Sequence, residues 1–297
     1  MKNTKMVIIG IFFGFLVARS KHMKFGTLVR LQEVHESEKA FANLHEMGLE
    51  SCQLVYKPQT YSVQDAAIIK ENAAKYGVEI SAFFAGFQDD YTKWELKYDF
   101  RNAGLNSASF GAERLRYLCG ALPFVAALGV QDMVVHAGFI PNDPFANEYA
   151  QMLCVVKLLA DKAKDYGLNI LLETGGESPI TLLRLIQELN LDNLFINLDT
   201  GNIIMYGYGN PCEAVMTFGK YVRNVHAKDG MPPINPYVIG EEKPIGEGVV
   251  DFKTVFSLLK ACGYDRFITI EREIKGEEQK HDIEKGLNYL KNIIQDI

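Results

Sequence analysis

Residues 168–202 read LNILLETGGESPITLLRLIQELNLDNLFINLDTGN. Two short apolar runs, Asn169-Ile-Leu-Leu-Glu173 and Leu194-Phe-Ile-Asn-Leu-Asp199, enclose a helical stretch at 179–189, and each run closes on a carboxylate. Runs that are apolar on both faces, joined through a helix, are strands of a parallel sheet buried on both sides. Downstream, His226 follows Val222-Arg-Asn-Val and Glu271 closes Phe267-Ile-Thr-Ile. In a closed parallel barrel the C-terminal strand ends share one rim, so these four ligand-type side chains are expected to converge.

The same alternation extends outward. Strands are predicted at 24–31, 49–56, 78–85, 130–136, 168–173, 194–199, 222–227 and 267–271, with helices near 36–47, 62–76, 111–128, 147–166, 179–189, 211–220, 251–261 and 278–295. In the helix at 62–76, Val63, Ala66, Ala67, Ile69 and Ala73 are placed against the sheet and Lys70, Glu71 and Lys75 in water. Gly48, Gly77, Gly129, Gly167 and Gly263 stand where a helix must turn into the next strand through a left-handed residue. Eight such units give an α/β chain folded as a single (β/α)8 TIM barrel over residues 23–297. Two rim loops are long, 86–110 with Trp94 and 228–250 with several Gly and Pro, and are read as lids or binding walls.

Of the 297 residues, 48% are hydrophobic and 23% charged, which suits a large buried core. A formal charge of −6 argues against a surface that tracks nucleic-acid phosphates. Five dispersed cysteines without CxxC spacing are expected to be free and mostly buried, in a cytoplasmic, reducing setting. Residues 1–22 form an N-terminal apolar extension: Lys2 and Lys5 precede the apolar run 6–18, too short to span a membrane comfortably. It reads as a start assigned upstream of Met23, with an export signal as the alternative and a membrane anchor third. Arg19-Ser-Lys-His22 back-translates to a purine-rich ribosome-binding sequence, whereas it is a poor cleavage site. Without residues 1–22 the formal charge becomes −10, since the extension carries four basic groups and no acidic ones.

Three carboxylates and an imidazole packed together repel or take up protons unless a cation joins them. The oxygen-rich set favours Mn²⁺, Mg²⁺ or Co²⁺, and admits Zn²⁺. A divalent cation on Glu173, Asp199, His226 and Glu271 suits proton transfer next to a sugar carbonyl, because the enediolate formed there carries negative oxygens. Glu173 and Glu271 are the carboxylates placed to move such a proton. Carboxylates on opposite faces give epimerisation, and a shuttle between adjacent carbons gives aldose–ketose isomerisation.

The chain resembles the sugar phosphate isomerase/epimerase superfamily, whose members have a xylose-isomerase-like TIM barrel. The resemblance covers residues 24–297 and lies in Leu-Leu-Glu173-Thr-Gly-Gly-Glu177, Asn-Leu-Asp199-Thr-Gly-Asn202, Val-His226-Ala-Lys228-Asp229, Gly246-Glu-Gly-Val-Val-Asp-Phe252 and Thr-Ile-Glu271-Arg272-Glu273. It implies that Glu173, Asp199, His226 and Glu271 bind the divalent ion and that the two glutamates flank the substrate. Asn202 departs from relatives, including ketose 3-epimerases, that carry a histidine there, so their substrate does not carry over.

Around this set, His136 after Met133-Val-Val is read as a substrate-hydroxyl ligand, its alternative being a core histidine bonded to backbone. Glu177 is a substrate ligand or a helix cap near Ser178, and Asn202 a hydrogen-bonding substrate contact. Lys228 either binds a substrate oxyanion or pairs with Asp229 or Glu273, and Arg272 points away into a structural ion pair. The superfamily's zinc-dependent apurinic-site endonucleases use further histidines that are missing here: strand 3 ends Ala82-Phe-Phe-Ala-Gly, and position 202 is Asn. Closer rivals are an inosose-type dehydratase, in which the enolate loses a β-hydroxyl, and a non-catalytic sugar-binding barrel. A glycosidase built on Glu173 and Glu271 leaves Asp199 and His226 unexplained. The expected partner is a small-molecule sugar, with no nucleic acid and no stable membrane association; a homo-oligomer is compatible with the sequence.

Overall fold

The computed structural model describes residues 23–55, 61–86 and 103–297. The readings for residues 1–22 and for the Trp94 segment therefore lie outside the described residues. Along the chain run β1 (Lys24–Val29), α1 (Ser37–Glu46), β2 (Ser51–Val55), α2 (Asp65–Lys75), β3 (Glu79–Ala85), α3 (Gly111–Leu128), β4 (Asp132–Val135) and α4 (Asn147–Lys164). There follow β5 (Asn169–Glu173), α5 (Pro179–Leu189), β6 (Leu194–Asp199), α6 (Thr200–Met205), α7 (Pro211–Phe218) and β7 (Val222–Ala227). The short strands β8 (Asp229–Gly230) and β9 (Glu242–Lys243), then α8 (Phe252–Ala261), β10 (Phe267–Ile270) and α9 (Glu277–Gln295), complete the described elements. Strands β1 to β7 and β10 close into one barrel, every neighbouring pair parallel. All eight predicted barrel strands are present within two residues of their expected ends.

Helix α5 shows how sequence makes these elements. Pro179 sits in its first turn, Thr181, Leu182, Leu185 and Ile186 form the buried stripe, and Asn190 ends it at φ 45°. Each buried Leu or Ile contributes roughly 1.5–3 kcal/mol over exposure, which outweighs any weakness in local propensity. The five punctuating glycines lie at φ values from 66° to 81°, as the helix-to-strand turns require. Helix α2 buries Ala66, Ile69 and Ala73, but Val63 and Ala67 face solvent: Val63 precedes the first helical turn, and Ala67 follows Ala66 by about 100° around the axis. The cysteines are free as expected, but Cys52 alone is buried while Cys154 and Cys262 are exposed: Cys154 lies on the outer face of α4 and Cys262 caps the C-terminus of α8.

The two ends of the barrel differ. At the N-terminal end, buried Asp132 accepts from Arg223 Nε at 3.1 Å, Arg266 Nη2 at 2.9 Å and Asn169 Nδ2 at 2.7 Å, a charge cluster that plugs the bottom. At the C-terminal end the 228–250 loop is organised by Asp229. Its carboxylate accepts from the backbone N–H groups of Gly230, Gly246, Gly248 and Val250 at 2.9–3.1 Å. Gly248 is obligatory there, because a Cβ would lie 2.1 Å from Asp229 Oδ1. Among the described residues no helix is long and apolar enough to cross a membrane.

Candidate metal and active site

Strand register brings the predicted ligands together. Asp199 pairs with His226 across β6 and β7, Thr269 pairs with His226 across β10 and β7, and Glu173 pairs with Asn197 across β5 and β6. Glu173, Asp199, His226 and Glu271 are all buried, and one ligand atom from each lies within 4.8 Å of the others. His226 Nδ1 is 2.8 Å from Glu173 Oε1, 2.7 Å from Glu271 Oε2 and 3.9 Å from Asp199 Oδ2. The imidazole thus stands between the two glutamates.

These donors fit a divalent cation. Asp199 Oδ2 is buried without a hydrogen bond, and Glu173 and Glu271 crowd the same cluster, a costly arrangement for three carboxylates unless a cation joins them. Three hard oxygens and one nitrogen suit Mg²⁺, Mn²⁺ or Co²⁺, and no thiol is in the set. Asp199 divides its two oxygens: Oδ1 caps α6 by accepting from Gly201 N at 2.9 Å and Asn202 N at 2.7 Å, which leaves Oδ2 for ligation. Short α6 was absent from the sequence reading, because Thr200-Gly-Asn has low helix propensity; the Asp199 cap and the packing around it override that.

The groups behind the ligands were also missed. Gln53, in the middle of β2, accepts through Oε1 from His226 Nε2 at 2.9 Å and donates through Nε2 to Asn197 Oδ1 at 3.2 Å. That pair of contacts fixes the amide orientation and commits the imidazole proton to Nε2, leaving Nδ1 for a metal. A polar residue inside an otherwise buried strand was the available signal. Two threonines do similar work at backbone level. Thr174 Oγ1 donates to Asp199 O at 2.9 Å and accepts from Asp199 N at 2.8 Å. Thr200 Oγ1 donates to Lys228 O at 2.6 Å and accepts from Lys228 N at 3.1 Å.

Without a cation the cluster balances its charge with protons. Burial works against His226 carrying charge, yet Glu271 and Glu173 outweigh it and raise its pKa to about 10. Burial likewise opposes ionisation of Glu173, but His136 and His226 prevail and hold it near about 2. Glu271 is held well below the usual carboxylate range because Lys228 and His226 outweigh its burial. Burial pushes Glu177 up to about 8, which favours its neutral, hydrogen-bond-donating form. The ammonium of Lys228 is buried and its pKa is raised, since Glu271, Asp199 and Glu273 overcome its desolvation.

The predicted accessory residues all lie at this rim. His136 Nε2 is 2.9 Å from Glu173 Oε2 and keeps 23% side-chain exposure, and Phe84 stands edge-on to both His136 and His226. Glu177 accepts from Gly175 N at 3.2 Å and does not cap α5, whose N-cap is Ser178. It lines a cavity of about 400 Å³ with Phe139, Ile140, Pro141 and Tyr208. Asn202 donates to Thr174 O at 3.3 Å and accepts from Lys228 Nζ at 3.2 Å. Lys228 pairs with Glu273 and not with Asp229, while its Nζ stays 3.8 Å from Glu271 Oε1 and 3.9 Å from Asp199 Oδ2. Arg272 points away to Glu242 at 3.1 Å and Asp282 at 2.8 Å.

A family model described as Xylose isomerase-like TIM barrel matches residues 41–293. The chain belongs to this family. An uncharacterized protein of Methanocaldococcus jannaschii is 30% identical over 273 residues, covering 84% of each chain. The inosose dehydratase of Geobacillus thermodenitrificans is 28% identical over 131 residues, which is 39% of this chain and 44% of that enzyme. Among solved structures, a xylose isomerase domain protein from Planctomyces limnophilus superposes with a TM-score of 0.82 at 26% identity, covering 93% of this chain and 98% of that one. The D-allulose 3-epimerase from Methylomonas sp. shares the fold with a TM-score of 0.68 at 19% identity, covering 92% of this chain and 99% of that one.

Proposed function

We propose that this barrel is a divalent-metal-dependent isomerase or epimerase of a sugar or sugar derivative. The observation that carries the reading is the pair Glu173 and Glu271, both buried, with oxygens 2.8 and 2.7 Å from His226 Nδ1 in a four-residue cluster whose ligand atoms lie within 4.8 Å of one another. When bound to Glu173, Asp199, His226 and Glu271, the cation supplies stabilisation of negative charge that develops on adjacent substrate oxygens.

The chain's own residues account for the proton movement. One glutamate removes the proton from the carbon next to the substrate carbonyl, leaving an enediolate. The other, which must be protonated when the substrate is bound, delivers its proton to that carbon from the opposite face and inverts it, so that the two glutamates exchange protonation states in each turnover. If the proton is instead returned to the neighbouring carbon, and the hydroxyl proton passes from one enediolate oxygen to the other, an aldose and a ketose interconvert. Lys228 and neutral Glu177 offer donors to substrate oxygens, and His136 and Asn202 orient hydroxyls.

A second reading, an inosose-type dehydratase, is supported by the similarity to that enzyme over 131 residues. It begins with the same proton removal and ends with loss of a β-hydroxyl. The experiment is solvent exchange: protein loaded with Mn²⁺, a panel of ketoses and keto-inositols in D₂O, and NMR of the products. Deuterium at the carbon beside the carbonyl with a new epimer or aldose is the expected outcome, and water loss from a keto-inositol would select the lyase. In Glu173→Gln and Glu271→Gln, turnover should fall by about 10²–10⁴-fold while sugar binding persists. Full retention of turnover in both variants would remove the glutamates from the chemistry.

A further inference from the structure

The glycine-rich loop at 246–248 is not an anion cradle. The N–H groups of Gly246 and Gly248 both donate to Asp229 Oδ2, at 2.9 and 3.0 Å, and Glu247 pairs with Lys285. A different part of the rim has the opposite character. Between the end of β1 and the segment after β10, a cavity of about 680 Å³ is lined by apolar Leu44, Ile274 and Ile283 and by the cations Arg30, Lys275 and Lys280. None of these three cationic groups has a hydrogen-bond or ion-pair partner among the described residues. Elsewhere on the surface Lys24, Lys75 and Lys164 each hold a carboxylate. In a chain of formal charge −6, three cations around one concavity outnumber the single carboxylate on its wall, Glu273, which Lys228 already holds, and they concentrate positive potential where the rest of the molecule repels anions.

Two contacts link the wall of this cavity to the metal-ligand cluster. Thr27 on its inner wall donates at 2.8 Å to the carbonyl of Ile270, the residue before Glu271. Glu273, also on its wall, holds Lys228, whose Nζ is 3.8 Å from Glu271 Oε1. The segment after the last barrel strand is also where (β/α)8 enzymes frequently build anion sites. Lysine supplies a mobile point charge and arginine a planar fork, and both recognise oxyanions.

We propose that this cavity binds an oxyanion carried by the substrate, a phosphate monoester or a carboxylate, while the reacting carbons lie between Glu173 and Glu271. The substrate is then an anionic sugar, an assignment that rests on the isomerase or epimerase reading above. Arg30 provides the fork nearest the barrel mouth, and Lys275 and Lys280 close the charge from the β10–α9 side. All three cations are exposed, so an oxyanion held among them stays open to solvent and its binding weakens with added salt.

Inorganic phosphate and acetate, titrated calorimetrically into the metal-free protein, test the cavity separately from catalysis. Phosphate should bind, and Arg30→Ala and the double variant Lys275→Ala/Lys280→Ala should each weaken binding about tenfold, the loss expected for one charge-assisted contact, at unchanged thermal stability. Absence of phosphate binding, or equal affinity in both variants, overturns the proposal. The D₂O exchange assay supplies the second arm. Ketose phosphates or keto-uronates should show a KM about tenfold below neutral ketoses, the preferred anion identifying the source, and Arg30→Ala should close the gap. Equal kcat/KM for neutral and anionic ketoses overturns the cavity assignment and leaves the isomerase reading intact. Phosphate binding that the variants abolish, with exchange of no ketose at all, supports the anion site and sinks the isomerase reading.

Discussion

Metal binding should expel a proton from His226. In the metal-free cluster Glu271 and Glu173 overcome burial and raise this imidazole's pKa to about 10, so at pH 7 Nδ1 carries the proton that sits against Glu173 Oε1 at 2.8 Å. A cation needs that nitrogen neutral. Three pH units below the pKa, protonation opposes ligation by about 4 kcal/mol, at 1.36 kcal/mol per unit. The apparent Mn²⁺ association constant should therefore rise about tenfold per pH unit between pH 6 and 8. Calorimetric titrations in two buffers of different ionisation enthalpy should show at least one proton released per ion. The sign for stability follows from the same shift. His226's folded pKa lies above the ordinary 6.5, so its contribution is complete below pH 6.5 and is lost as pH rises through about 10. The metal-free Tm should fall across that window, and the metal-loaded Tm should be flatter. An affinity that is constant from pH 6 to 8, with no proton released, would refute the charge balance argued for the cluster.

Three substitutions probe the surroundings. Gln53→Leu removes the acceptor that holds His226 Nε2–H at 2.9 Å and should weaken metal affinity about 10–100-fold with little change in far-UV circular dichroism; unaltered affinity would mean that the tautomer is fixed otherwise. Asp132→Ala leaves Arg223 and Arg266 facing each other without their shared carboxylate and should cost about 3–5 kcal/mol in denaturant unfolding, while kcat of the folded fraction is unchanged because the residue lies at the opposite end of the barrel. Asp229→Ala strips four backbone N–H groups of their acceptor and should cost at least about 3 kcal/mol, with faster amide exchange at Gly246, Gly248 and Val250 as the specific readout.

The barrel and the convergence of the four candidate ligands were legible because both signals are local. Apolar strands alternating with glycine-terminated helices set the topology, and a carboxylate or imidazole after each run marks a shared rim once the strands are parallel. What stayed hidden depends on register and on neighbours distant in sequence. Gln53 lies 173 positions before the histidine it orients, and nothing within Ser51-Cys-Gln-Leu-Val announces that partner. The hydrophobic period has nothing to act on in α6, a six-residue helix whose start is set by Asp199 serving at once as strand end and helix cap. The burial of cysteines was overestimated for a related reason: composition gives their number, but the outer face of α4 for Cys154 and the C-cap position on α8 for Cys262 decide their exposure. The cation cavity between β1 and β10 joins the first and last barrel strands, so its members are separated by almost the whole chain.

The carboxylate-Thr-Gly sequence after β5 is repeated after β6, as Glu173-Thr174-Gly175 and Asp199-Thr200-Gly201. In each copy the threonine hydroxyl both donates to and accepts from the backbone of the next strand's end, Thr174 at Asp199 and Thr200 at Lys228. Gly201 allows the second junction to close, since a Cβ there would lie 2.8 Å from Lys228 Cγ. Each ligand is thus locked to its neighbour through backbone, and Asp199 has one oxygen already engaged by α6. A frame so fixed cannot open to the six to eight long oxygen contacts that Ca²⁺ prefers, but it can close on a smaller ion with contacts of about 2.0–2.1 Å. Ca²⁺ should accordingly compete poorly against Mn²⁺ in calorimetric displacement. Thr200→Val should narrow that discrimination by loosening the His226–Lys228 strand end. If Ca²⁺ displaced Mn²⁺ at equal concentration in the unaltered protein, the rigidity inferred from the two threonine junctions would be wrong.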